Sequence, residues 1–394
     1  MPNPHLNIML FCHSPERGGP FLRGFYFSKH LSALGHNVSY IVLSDKKNIL
    51  IPRKEQHDGV NFVVLPSFKS IPFTRDHDYL GTLLGMMLNP SLTLGPVDVI
   101  HCLSSSSGIT TSPIMFHKIM RIIFKKSKKI KIVAGIDDWW DKPLSALWPF
   151  FGYFERLSFR NCDVGIAASE ELKARVINHG VSPDKIHYIP DAADIETIRP
   201  LPRDRCLKEL EMPELLDKRI LVHIGRTGGT MHFLQSLKKL VSQKKDIICL
   251  LIGSFHEYEI DAINNLGLQE NIKMMGVQPY SKLGLYCSAA DLLVFPMINN
   301  ILDAARSPLT LGDYLASGKA IVSNAVGETR RVLLRSGSAV ICDVDNVNDF
   351  TNAIITLLED KKLNTKLGQS GRQFAEEKFS WQIMAKKLES IYKL

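Results

Sequence analysis

The chain has 394 residues, of which 45% are apolar and 22% are charged, with 26 Gly and 20 Pro. This composition excludes a collagenous, disulfide-stapled or wholly disordered chain, and the length exceeds the roughly 250 residues of most single domains, so two domains are expected. An excess of 48 Lys and Arg over 40 Asp and Glu gives a net charge of +8, which favours anionic partners such as phosphates, nucleic acid or acidic lipid headgroups.

The cysteines and the first residues bear on the cellular compartment. The seven Cys are scattered, and none forms a C-x-x-C pair or stands against paired His, so they predict neither a disulfide framework nor a metal site. Residues 7–12 are typical of a first strand rather than a signal peptide, and no run of eighteen apolar residues suits a membrane span. We therefore expect reduced thiols and a cytoplasmic protein.

Short β-branched runs alternate with longer amphipathic runs through the first half of the chain. Strands are predicted over 8–12, 38–43, 60–65, 97–102, 131–136 and 164–168, and helices over 21–34, 114–124 and 170–179. This alternation is typical of a parallel sheet with helices on both faces. It pauses over 186–217, where prolines and mixed charge indicate a hinge near 190–218.

The second half repeats the alternation. Six strands are predicted over 220–224, 247–252, 272–275, 292–295, 320–323 and 339–342, with helices between them. The expected fold class is therefore α/β, with two doubly wound Rossmann-like domains. Two such domains that face each other would form a cleft at the carboxyl ends of their strands, where open α/β sheets bind ligands.

Two glycine turns each join a predicted strand to a helix. The first contains Gly18 and Gly19, and the second reads Gly225-Arg226-Thr227-Gly228-Gly229. Glycines allow close approach of a ligand, helix amino ends attract anions, and Arg226 offers a fork of donors suited to phosphate. Neither turn has the G-x-G-x-x-G spacing of dinucleotide-binding oxidoreductases. A plain tight turn, or an arginine that caps a carbonyl, remains the alternative.

A third motif extends from Arg306 to Lys319. Pro308 is suited to start a helix and Gly318 to end it, which puts Asp313 about one turn inside the helix. A carboxylate there can accept two hydroxyls, as a ribose diol presents them. The alternative is a solvated helix acid.

Several short motifs occur in order along the chain. They are Cys162-Asp163, Ala168–Leu172, Gly180–Ile186, Ile189–Asp194, Ala290–Pro296 and Asp313–Lys319, together with the two glycine turns. The set closely resembles the retaining GT-B glycosyltransferases (family 4-like, "glycosyl transferases group 1"), which include bacterial mannosyl- and glucosyltransferases and relatives of sucrose and glycogen synthases. The resemblance covers nearly the whole chain.

The resemblance implies a GT-B fold with residues 1–195 as the acceptor-binding domain and 196–378 as the nucleotide-sugar-binding domain. Residues 379–394 would form a helix that crosses back to the first domain. It further implies a nucleotide-sugar as substrate, transfer with retained anomeric configuration, and no required metal or other cofactor.

Individual residues take roles from the family motifs. Donor-binding roles fall on Gly18, Gly19, Arg226, Val277, Arg306, Leu309, Thr310 and Asp313. Gly19 would also face the reaction centre, and Arg226 would hold the diphosphate. Asp313 occupies the position of the family's ribose-binding glutamate, the amides around Leu309 and Thr310 would touch phosphate, and the loop at Val277 would border the base.

Three positions depart from the family pattern. Met231 replaces a usual basic residue, Ala305 replaces the first motif glutamate, and Asp137-Asp138 stands where the family has His-Asp. The first change reduces phosphate charge, for which nearby Arg306 can substitute. The second removes an expected sugar-hydroxyl contact, so the identity of the donor sugar cannot be inherited.

Asp137 is the candidate acid nearest to the chemistry. In a cleft it would orient an acceptor hydroxyl or stabilise positive charge at the anomeric carbon. Alternatively, Asp137 and Asp138 cap the next helix and meet Lys142 in a solvent-exposed pair.

Residues 114–131 form a basic segment beside an apolar face. Its basic residues are Lys118, Arg121, Lys125, Lys126, Lys128, Lys129 and Lys131. One interpretation is peripheral docking on the anionic inner face of the membrane, toward a lipid-linked acceptor. The other is a buried crossover helix whose charged end is a solvated loop.

The function expected from these features is transfer of a hexose from a UDP- or GDP-sugar to a glycan or lipid-linked acceptor, in assembly of cell-surface polysaccharide, lipopolysaccharide or glycolipid. A catalytically silent GT-B partner subunit is one alternative, which Ala305, Met231 and the missing His favour. A GT-B sugar-nucleotide epimerase is the other. Nucleic-acid binding is not expected, because no basic helix with interleaved aromatic residues belongs to a recognised module.

Overall fold

A computed structural model describes residues 5–15, 19–43, 53–65, 96–104, 108–123, 130–139, 148–225 and 228–394. The chain divides into two compact units. Unit 1 comprises residues 1–191 together with Trp381–Leu394, and unit 2 comprises Ala192–Ser380.

Unit 1 is built on an eight-stranded sheet. Its strands are β1 (Asn7–Pro15), β2 (Asn37–Leu43), β3 (Arg53–His57), β4 (Val60–Leu65), β5 (Val99–Cys102), β6 (Lys131–Ile136), β7 (Val164–Ala167) and β8 (Ile186–Tyr188). They lie in the order β3-β4-β2-β1-β5-β6-β7-β8. Neighbours pair in parallel, except that β3 runs antiparallel to β4.

The helices of unit 1 join and cover these strands. They are α1 (Gly19–Ala33), α2 (Gly108–Ile123), α3 (Trp148–Asn161), α4 (Glu170–Asn178) and, from the end of the chain, α14 (Trp381–Lys393). Helix α14 packs on α1, where Trp381 stacks on Tyr26 with ring centroids 5.3 Å apart and meets Phe27 edge-on. The Tyr392 hydroxyl lies 2.7 Å from Nδ1 of buried His101 on β5. These contacts make α14 part of unit 1.

Unit 2 is a six-stranded parallel sheet in the order β11-β10-β9-β12-β13-β14. Its strands are β9 (Arg219–Ile224), β10 (Ile247–Ile252), β11 (Ile272–Gly276), β12 (Leu292–Phe295), β13 (Ile321–Ser323) and β14 (Ala339–Ile341). Its helices are α5 (Arg203–Glu209), α6 (Thr230–Gln243), α7 (Glu257–Asn265), α8 (Tyr280–Ala289), α9 (Ile301–Ala305), α10 (Leu309–Ser317), α11 (Gly327–Ser336), α12 (Val347–Glu359) and α13 (Lys361–Lys378).

The core of unit 2 follows from the strand composition. The strands are nearly continuous apolar runs, as expected where helices cover both faces of a parallel sheet. Leu251 and Val294 of the sheet are buried with Phe233 of α6 and Phe350 of α12 in one hydrophobic cluster. The predicted α/β class with two parallel-sheet units is thus confirmed.

Some elements do not follow from the sequence pattern. Strand β3 has the sequence RKEQH and lies largely exposed at the sheet edge, so it lacks apolar alternation. The boundary between the units, after Asp191, falls within the segment 190–218 that the pattern suggests as a hinge. Most of that segment belongs to unit 2 and contains α5, whose Cys206 and Leu207 are buried. Within the described ranges, no helix is long and apolar enough to cross a bilayer.

Candidate active site

Each sheet contains a point where the strand order reverses. In unit 1, β1 lies between β2 and β5, and in unit 2, β9 lies between β10 and β12. Connections on the two sides of such a point leave opposite faces of the sheet, so a crevice opens beyond the carboxyl ends of the strands and typically receives the ligand. The side chains and turns at these two edges are therefore the candidates for a ligand site.

Three glycines end neighbouring strands of unit 2 at the carboxyl edge. Gly225 and Gly253 directly follow β9 and β10, and Gly276 ends β11. Their φ angles are 82°, 127° and 64°, a region that favours glycine. The amide of Gly225 donates to Ile252 O, and the amide of Gly253 donates to Gly276 O, both at 2.8 Å. This edge of the sheet therefore presents backbone without side chains along three strands.

The turn between β9 and α6 packs tightly against the backbone that follows β12. A Cβ on Gly229 would lie 2.5 Å from Met297 N and from Pro296 C. Gly229 is also the N-cap of α6, and no described side chain caps this helix. Close packing therefore requires glycine here, and the amino end of a helix is a position that attracts anions. Arg226 lies outside the described residues, so its phosphate role stays a prediction.

Helix α10 begins and ends where Pro308 and Gly318 predict. Pro308 is its N-cap, and Gly318 ends it in the left-handed conformation with φ of 71°. The Tyr314 hydroxyl accepts a hydrogen bond of 2.8 Å from the amide of Ile224, which ties α10 to the end of β9. The half-buried residues Leu309 and Thr310 begin the helix, and no described side chain caps its amino end.

Asp313 is the buried carboxylate of this edge. It is 3% exposed, and its Oδ1 accepts a hydrogen bond of 2.7 Å from the Tyr280 hydroxyl. Burial raises the pKa of Asp313 to about 7, the Tyr280 hydrogen bond lowers it, and the nearby Asp194 charge raises it. The alternative of a solvated helix acid is therefore wrong.

Tyr280 is a site residue that the sequence interpretation missed. It begins α8 immediately after the loop that contains Val277. Its position next to this predicted base-binding loop is the sequence feature that could have identified it. Val277 is 78% exposed, as a residue that borders a ligand can be.

Arg306 and the neighbouring acid Asp303 form an ion pair. Arg306 Nη1 lies 3.4 Å from Oδ1 of Asp303. Asp303 is 3% exposed, and its Oδ2 accepts the amide of Ile298 at 3.1 Å. The charge of Arg306 is thus already partly neutralised, which weakens its expected role as a substitute for the missing basic residue.

Two of the three departures from the family pattern replace a charged residue by an apolar one, at Ala305 and Met231. Ala305 is completely buried at the end of α9. Met231 is half-buried and packs against the hydrophobic cluster of unit 2. The apolar side chain of Met231 therefore fits the surroundings that the fold provides, and Ala305 is shielded from solvent.

In unit 1, Arg23 of α1 lies in the interior. It is 3% exposed; its Nη1 donates to Asp191 Oδ1 at 2.6 Å, and its Nη2 donates to Ile189 O at 2.7 Å. The guanidinium also lies 5.1 Å from the ring centroid of Phe27. Sequence reasoning missed Arg23, although its spacing of four residues from Phe27 puts both on one face of the helix.

Asp137 follows β6, and its carboxylate is buried. Each carboxylate oxygen exposes less than 1 Å² and lacks a hydrogen bond of standard geometry. Burial raises the pKa of Asp137, whereas the Arg23 charge and the nearby Ser104 hydroxyl lower it. The alternative of a solvent-exposed ion pair is therefore wrong for Asp137, and Lys142 lies outside the described residues.

Asp191 pairs with Arg23, and Asp138 follows Asp137 in the chain. Asp138 Oδ1 accepts the amide of Trp139 at 2.9 Å. Burial raises the pKa of Asp191 to about 6; Arg23 lowers it, and the charges of Asp137 and Asp138 raise it. We call Arg23, Asp137 and Asp191 the unit 1 cluster.

The first glycine turn is described only in part. Gly19 begins α1 and is exposed, whereas Gly18 lies outside the described residues. The role of both glycines at the reaction centre stays a prediction.

The first part of the basic segment 114–131 belongs to a packed crossover helix. Ile114 of α2 is fully buried, and the Lys118 ammonium donates to Asn161 Oδ1 of α3. Lys131 begins β6, and its ammonium lies 3.4 Å from Ile391 O. The side chains of the other basic residues lie outside the description; these residues are Arg121, Lys125, Lys126, Lys128 and Lys129.

A protein metal site needs several ligating side chains close together. Across the part of the chain that the structure covers, no group of three or more His, Cys, Asp or Glu is placed to hold a metal ion.

Comparison with protein families identifies two models in tandem. Residues 23–197 match Glycosyltransferase Family 4, and residues 213–374 match Glycosyl transferases group 1. The two matches are consecutive and fall largely on unit 1 and unit 2, respectively.

Curated relatives are similar at low identity. An uncharacterized glycosyltransferase of Methanocaldococcus jannaschii is 22% identical over 394 residues, which covers 96% of this chain and 95% of the relative. The D-inositol 3-phosphate glycosyltransferase of Corynebacterium glutamicum is 23% identical over 59% of this chain and 57% of its own length. The capsular polysaccharide biosynthesis glycosyltransferase CapM of Staphylococcus aureus is 25% identical over 58% and 60%, respectively. The chain thus spans somewhat more than half the length of the latter two.

Among solved structures, the Anabaena protein HepE in complex with UDP and glucose superposes with a TM-score of 0.74. The superposition covers 99% of this chain and 100% of HepE at 16% sequence identity. At this identity the likeness shows a common fold.

Proposed function

The chain belongs to the GT-B glycosyltransferases, and from that membership we propose that it transfers a hexose from a UDP- or GDP-sugar with retention of anomeric configuration. The acceptor in this proposal is a glycan or a lipid-linked sugar in cell-surface polysaccharide, lipopolysaccharide or glycolipid assembly. CapM, a relative named for capsular polysaccharide biosynthesis, supports this class of acceptor. Unit 2 receives the donor, unit 1 receives the acceptor, and no metal is required.

The buried carboxylate of Asp313 carries the donor assignment. The Tyr280 hydroxyl donates to Oδ1 of Asp313 at 2.7 Å. A ribose hydroxyl would then donate to the other carboxylate oxygen, Oδ2. Such donors would also stabilise the charged form of a carboxylate whose pKa burial has raised to about 7. Asp313 is therefore suited to recognise a ribose diol.

The donor diphosphate would be held by backbone and by Arg226. The amino ends of α6 and α10 carry no described side-chain cap, and helix amino ends stabilise anions. Transfer builds negative charge on the leaving diphosphate, so helix amides that bind it would favour the transition state. The side-chain-free edge at Gly225, Gly253 and Gly276 leaves room for a nucleoside to lie close to the sheet.

The acceptor side of the proposal rests on Asp137. Its buried carboxylate has unused acceptor capacity, which an incoming acceptor hydroxyl can satisfy. Bound in this way, the hydroxyl would be oriented toward the anomeric carbon, and the carboxylate would also stabilise the positive charge that develops there.

The purified chain, incubated with UDP- and GDP-hexoses, tests this function. We expect slow hydrolysis of one donor in the absence of acceptor, with release of the α-anomer from an α-linked donor in proton NMR, and unchanged rates in EDTA. Asp313→Ala should abolish nucleotide binding in calorimetry, as should Arg226→Ala. Replacement of the exposed acid Glu270 by Ala should leave binding intact. Full affinity in Asp313→Ala would refute the donor site.

A catalytically silent partner subunit is the competing function. Buried Ala305 and half-buried Met231 favour it, because neither side chain can contact a sugar hydroxyl or phosphate through a polar group. Transfer or donor hydrolysis by the purified wild-type chain would exclude it, provided that Asp137→Asn abolishes the activity and so rules out a contaminant.

We also propose where in the cell the protein acts. The basic segment 114–131 would hold the protein on the cytoplasmic face of an anionic membrane, near a lipid-linked acceptor. All seven cysteines are buried and free, which agrees with a reducing compartment.

A further inference from the structure

The glycine turn before α6 packs on the loop that follows β12. A Cβ on Gly228 would lie 2.6 Å from Cγ1 of Ile298, and one on Gly229 would lie 2.5 Å from the backbone nitrogen of Met297. Gly229 is buried and directly precedes α6. Because these contacts leave no gap, a movement of the loop would also move the turn and the amino end of α6.

Asn324 holds that loop through its side-chain amide. Its Oδ1 accepts a hydrogen bond of 2.7 Å from the backbone amide of Met297, and its Nδ2 donates one of 2.8 Å to Met297 O. Asn324 is completely buried, and only one orientation of its amide satisfies both groups. The side chain thus pairs with Met297 as a backbone peptide unit would.

This pairing continues the sheet beyond its last backbone pair. The register of β12 and β13 ends at Phe295 and Ser323, and the Ser323 hydroxyl donates to Phe295 O at 2.6 Å. Asn324 directly follows β13, so its amide supplies the next hydrogen bonds. A planar group that both donates and accepts is needed for this, which an apolar side chain cannot provide.

A second side chain holds the other part of the loop. Oδ2 of Asp303, a residue of α9 that is 3% exposed, accepts the backbone amide of Ile298 at 3.1 Å. Asp303 therefore fixes the loop at Ile298, whereas Asn324 fixes it at Met297. The backbone of Met297 is the part that Gly229 contacts.

We propose that Asn324 is a positioning residue for the diphosphate of the donor. Its amide fixes Met297, the backbone of Met297 fixes Gly229, and Gly229 sets where the first turn of α6 meets the phosphates. The proposal rests on the proposed function, which assigns the diphosphate to the amino ends of α6 and α10. It adds a buried residue that acts through the backbone of a loop.

The ribose end of the proposed donor site is held by separate contacts. Tyr280 donates to Asp313 at 2.7 Å, and the Tyr314 hydroxyl joins α10 to the amide of Ile224. Neither contact involves Asn324. A change at Asn324 should therefore weaken the contribution of the phosphates to binding more than the contribution of the nucleoside.

The experiment compares nucleoside and nucleoside diphosphate binding by the full-length protein. Asn324→Leu retains the approximate size of the side chain but leaves both backbone groups of Met297 unpaired, so the loop has to move. Calorimetry with UDP and GDP, and saturation-transfer NMR with uridine and guanosine, give the ratio of the nucleoside Kd to the diphosphate Kd. We expect this ratio to fall at least about tenfold, as for loss of one hydrogen bond to a charged group. The nucleoside Kd should stay within about twofold of the wild-type value, and inorganic pyrophosphate should bind more weakly.

Asn271→Ala is the matched control. Asn271 directly precedes β11 at the opposite, amino edge of the same sheet, and its Nδ2 donates to Ile247 O at 3.1 Å. Loss of this bond should lower stability in urea and leave the ratio of the two Kd values unchanged. A fall of the ratio in Asn271→Ala would show that general destabilisation is sufficient, which would overturn the proposal.

A double-mutant cycle tests the route through the loop. Gly229→Ala displaces the same turn directly, because the added carbon meets the backbone of Met297. If Asn324 acts through this contact, the two substitutions together should lower the ratio by less than the product of their separate effects. Fully multiplicative effects would show that Asn324 acts by another route and would refute the proposed one.

The result is separable from that of the proposed function. An unchanged ratio in folded Asn324→Leu, or equal weakening of nucleoside and diphosphate, overturns the role of Asn324 even if the wild type transfers hexose. If the wild type binds a nucleoside diphosphate but neither transfers nor hydrolyses a sugar nucleotide, the function fails, and a lowered ratio still supports the role of Asn324. A wild type that binds neither nucleoside diphosphate nor pyrophosphate refutes both. If Asn324→Leu does not fold, Asn324→Ala replaces it, because the smaller side chain leaves room for water beside Met297.

Discussion

At the scale of single residues, burial of Asp313 suits its carboxylate to bind a ligand but lowers the stability of the free folded protein once the carboxylate is charged. Burial raises its pKa in the folded protein to about 7, whereas an unfolded chain releases the proton near pH 4. The contribution of Asp313 to the free energy of unfolding is therefore fully present below about pH 4. It is lost as the pH rises through 7, where the buried carboxyl releases its proton. Near neutral pH the buried charge of Asp313 therefore destabilises the folded state unless a ligand or another hydrogen-bond donor stabilises that charge.

We predict that Asp313→Asn stabilises the free protein at pH 8 by up to about 4 kcal/mol, because the amide keeps the Tyr280 contact and carries no charge. The gain should be smaller at pH 5, where the wild-type side chain is already protonated. Urea unfolding at both pH values measures the difference. Glu270→Gln, an exposed acid in unit 2, should show no such dependence, and equal destabilisation of Asp313→Asn at both pH values would contradict the prediction.

At the scale of secondary-structure elements, the two edges of the units are organised differently. In unit 2, backbone amides and glycines dominate, and α10 is joined to β9 through the Tyr314 hydroxyl. In unit 1, charged side chains from α1 and from the ends of β6 and β8 dominate. This contrast agrees with a diphosphate held largely by backbone and with an acceptor hydroxyl oriented by a carboxylate.

The turn between β9 and α6 should not tolerate a methyl group. In Gly229→Ala the added carbon would lie 2.5 Å from the backbone of Pro296 and Met297, so the turn has to move. We expect a loss of about 1–3 kcal/mol in urea unfolding, as for other overpacked sites, together with weaker nucleotide binding. Gly152→Ala, a helical glycine with open space around it, should be neutral or slightly stabilising. Wild-type stability in Gly229→Ala would show that the turn is not tightly packed.

The basic segment is tested by flotation with vesicles that contain anionic lipid. Replacement of Lys125, Lys126, Lys128 and Lys129 by Glu should abolish binding, because each basic group contributes roughly 1 kcal/mol near such a surface. A matched control replaces four exposed lysines of α13, which are Lys361, Lys362, Lys366 and Lys378, and should still bind. Undiminished binding of the first variant, or no binding of the wild type, would refute membrane docking.

At the scale of the whole molecule, nucleotide binding should appear as stabilisation. A ligand at 100 times its Kd adds about 2.7 kcal/mol to the free energy of unfolding, which corresponds to a rise in Tm of about 5–10 °C for a domain of this size. A thermal-shift screen of UDP-, GDP- and ADP-sugars should therefore reveal one preferred base. Asp313→Ala should lose the shift. A wild-type chain that responds to none of the nucleotides would contradict the donor assignment.

The predictable part of the molecule follows from local patterns. Apolar runs at strand spacing gave β9, β10 and β12 almost to the residue, since strands buried on both faces must be apolar. Pro308 and Gly318 likewise set the ends of α10. Polar edge strand β3 escaped prediction because its backbone pairs with β4 while its side chains stay largely exposed, so it needs no apolar alternation. The charged helix α5 escaped because its first residue, Arg203, pairs with Asp291, which is remote in the chain.

The sequence alone determined the α/β class, the glycosyltransferase family and the candidate acids Asp137 and Asp313, because these depend on periodicity and on motifs of fixed spacing. Only the tertiary structure decided how those acids are buried. Asp313 and Tyr280 are 33 residues apart, and Arg23 and Asp191 are 168 residues apart. Burial, pKa and charge balance depend on such distant neighbours, which parallel crossovers bring to one edge of a sheet.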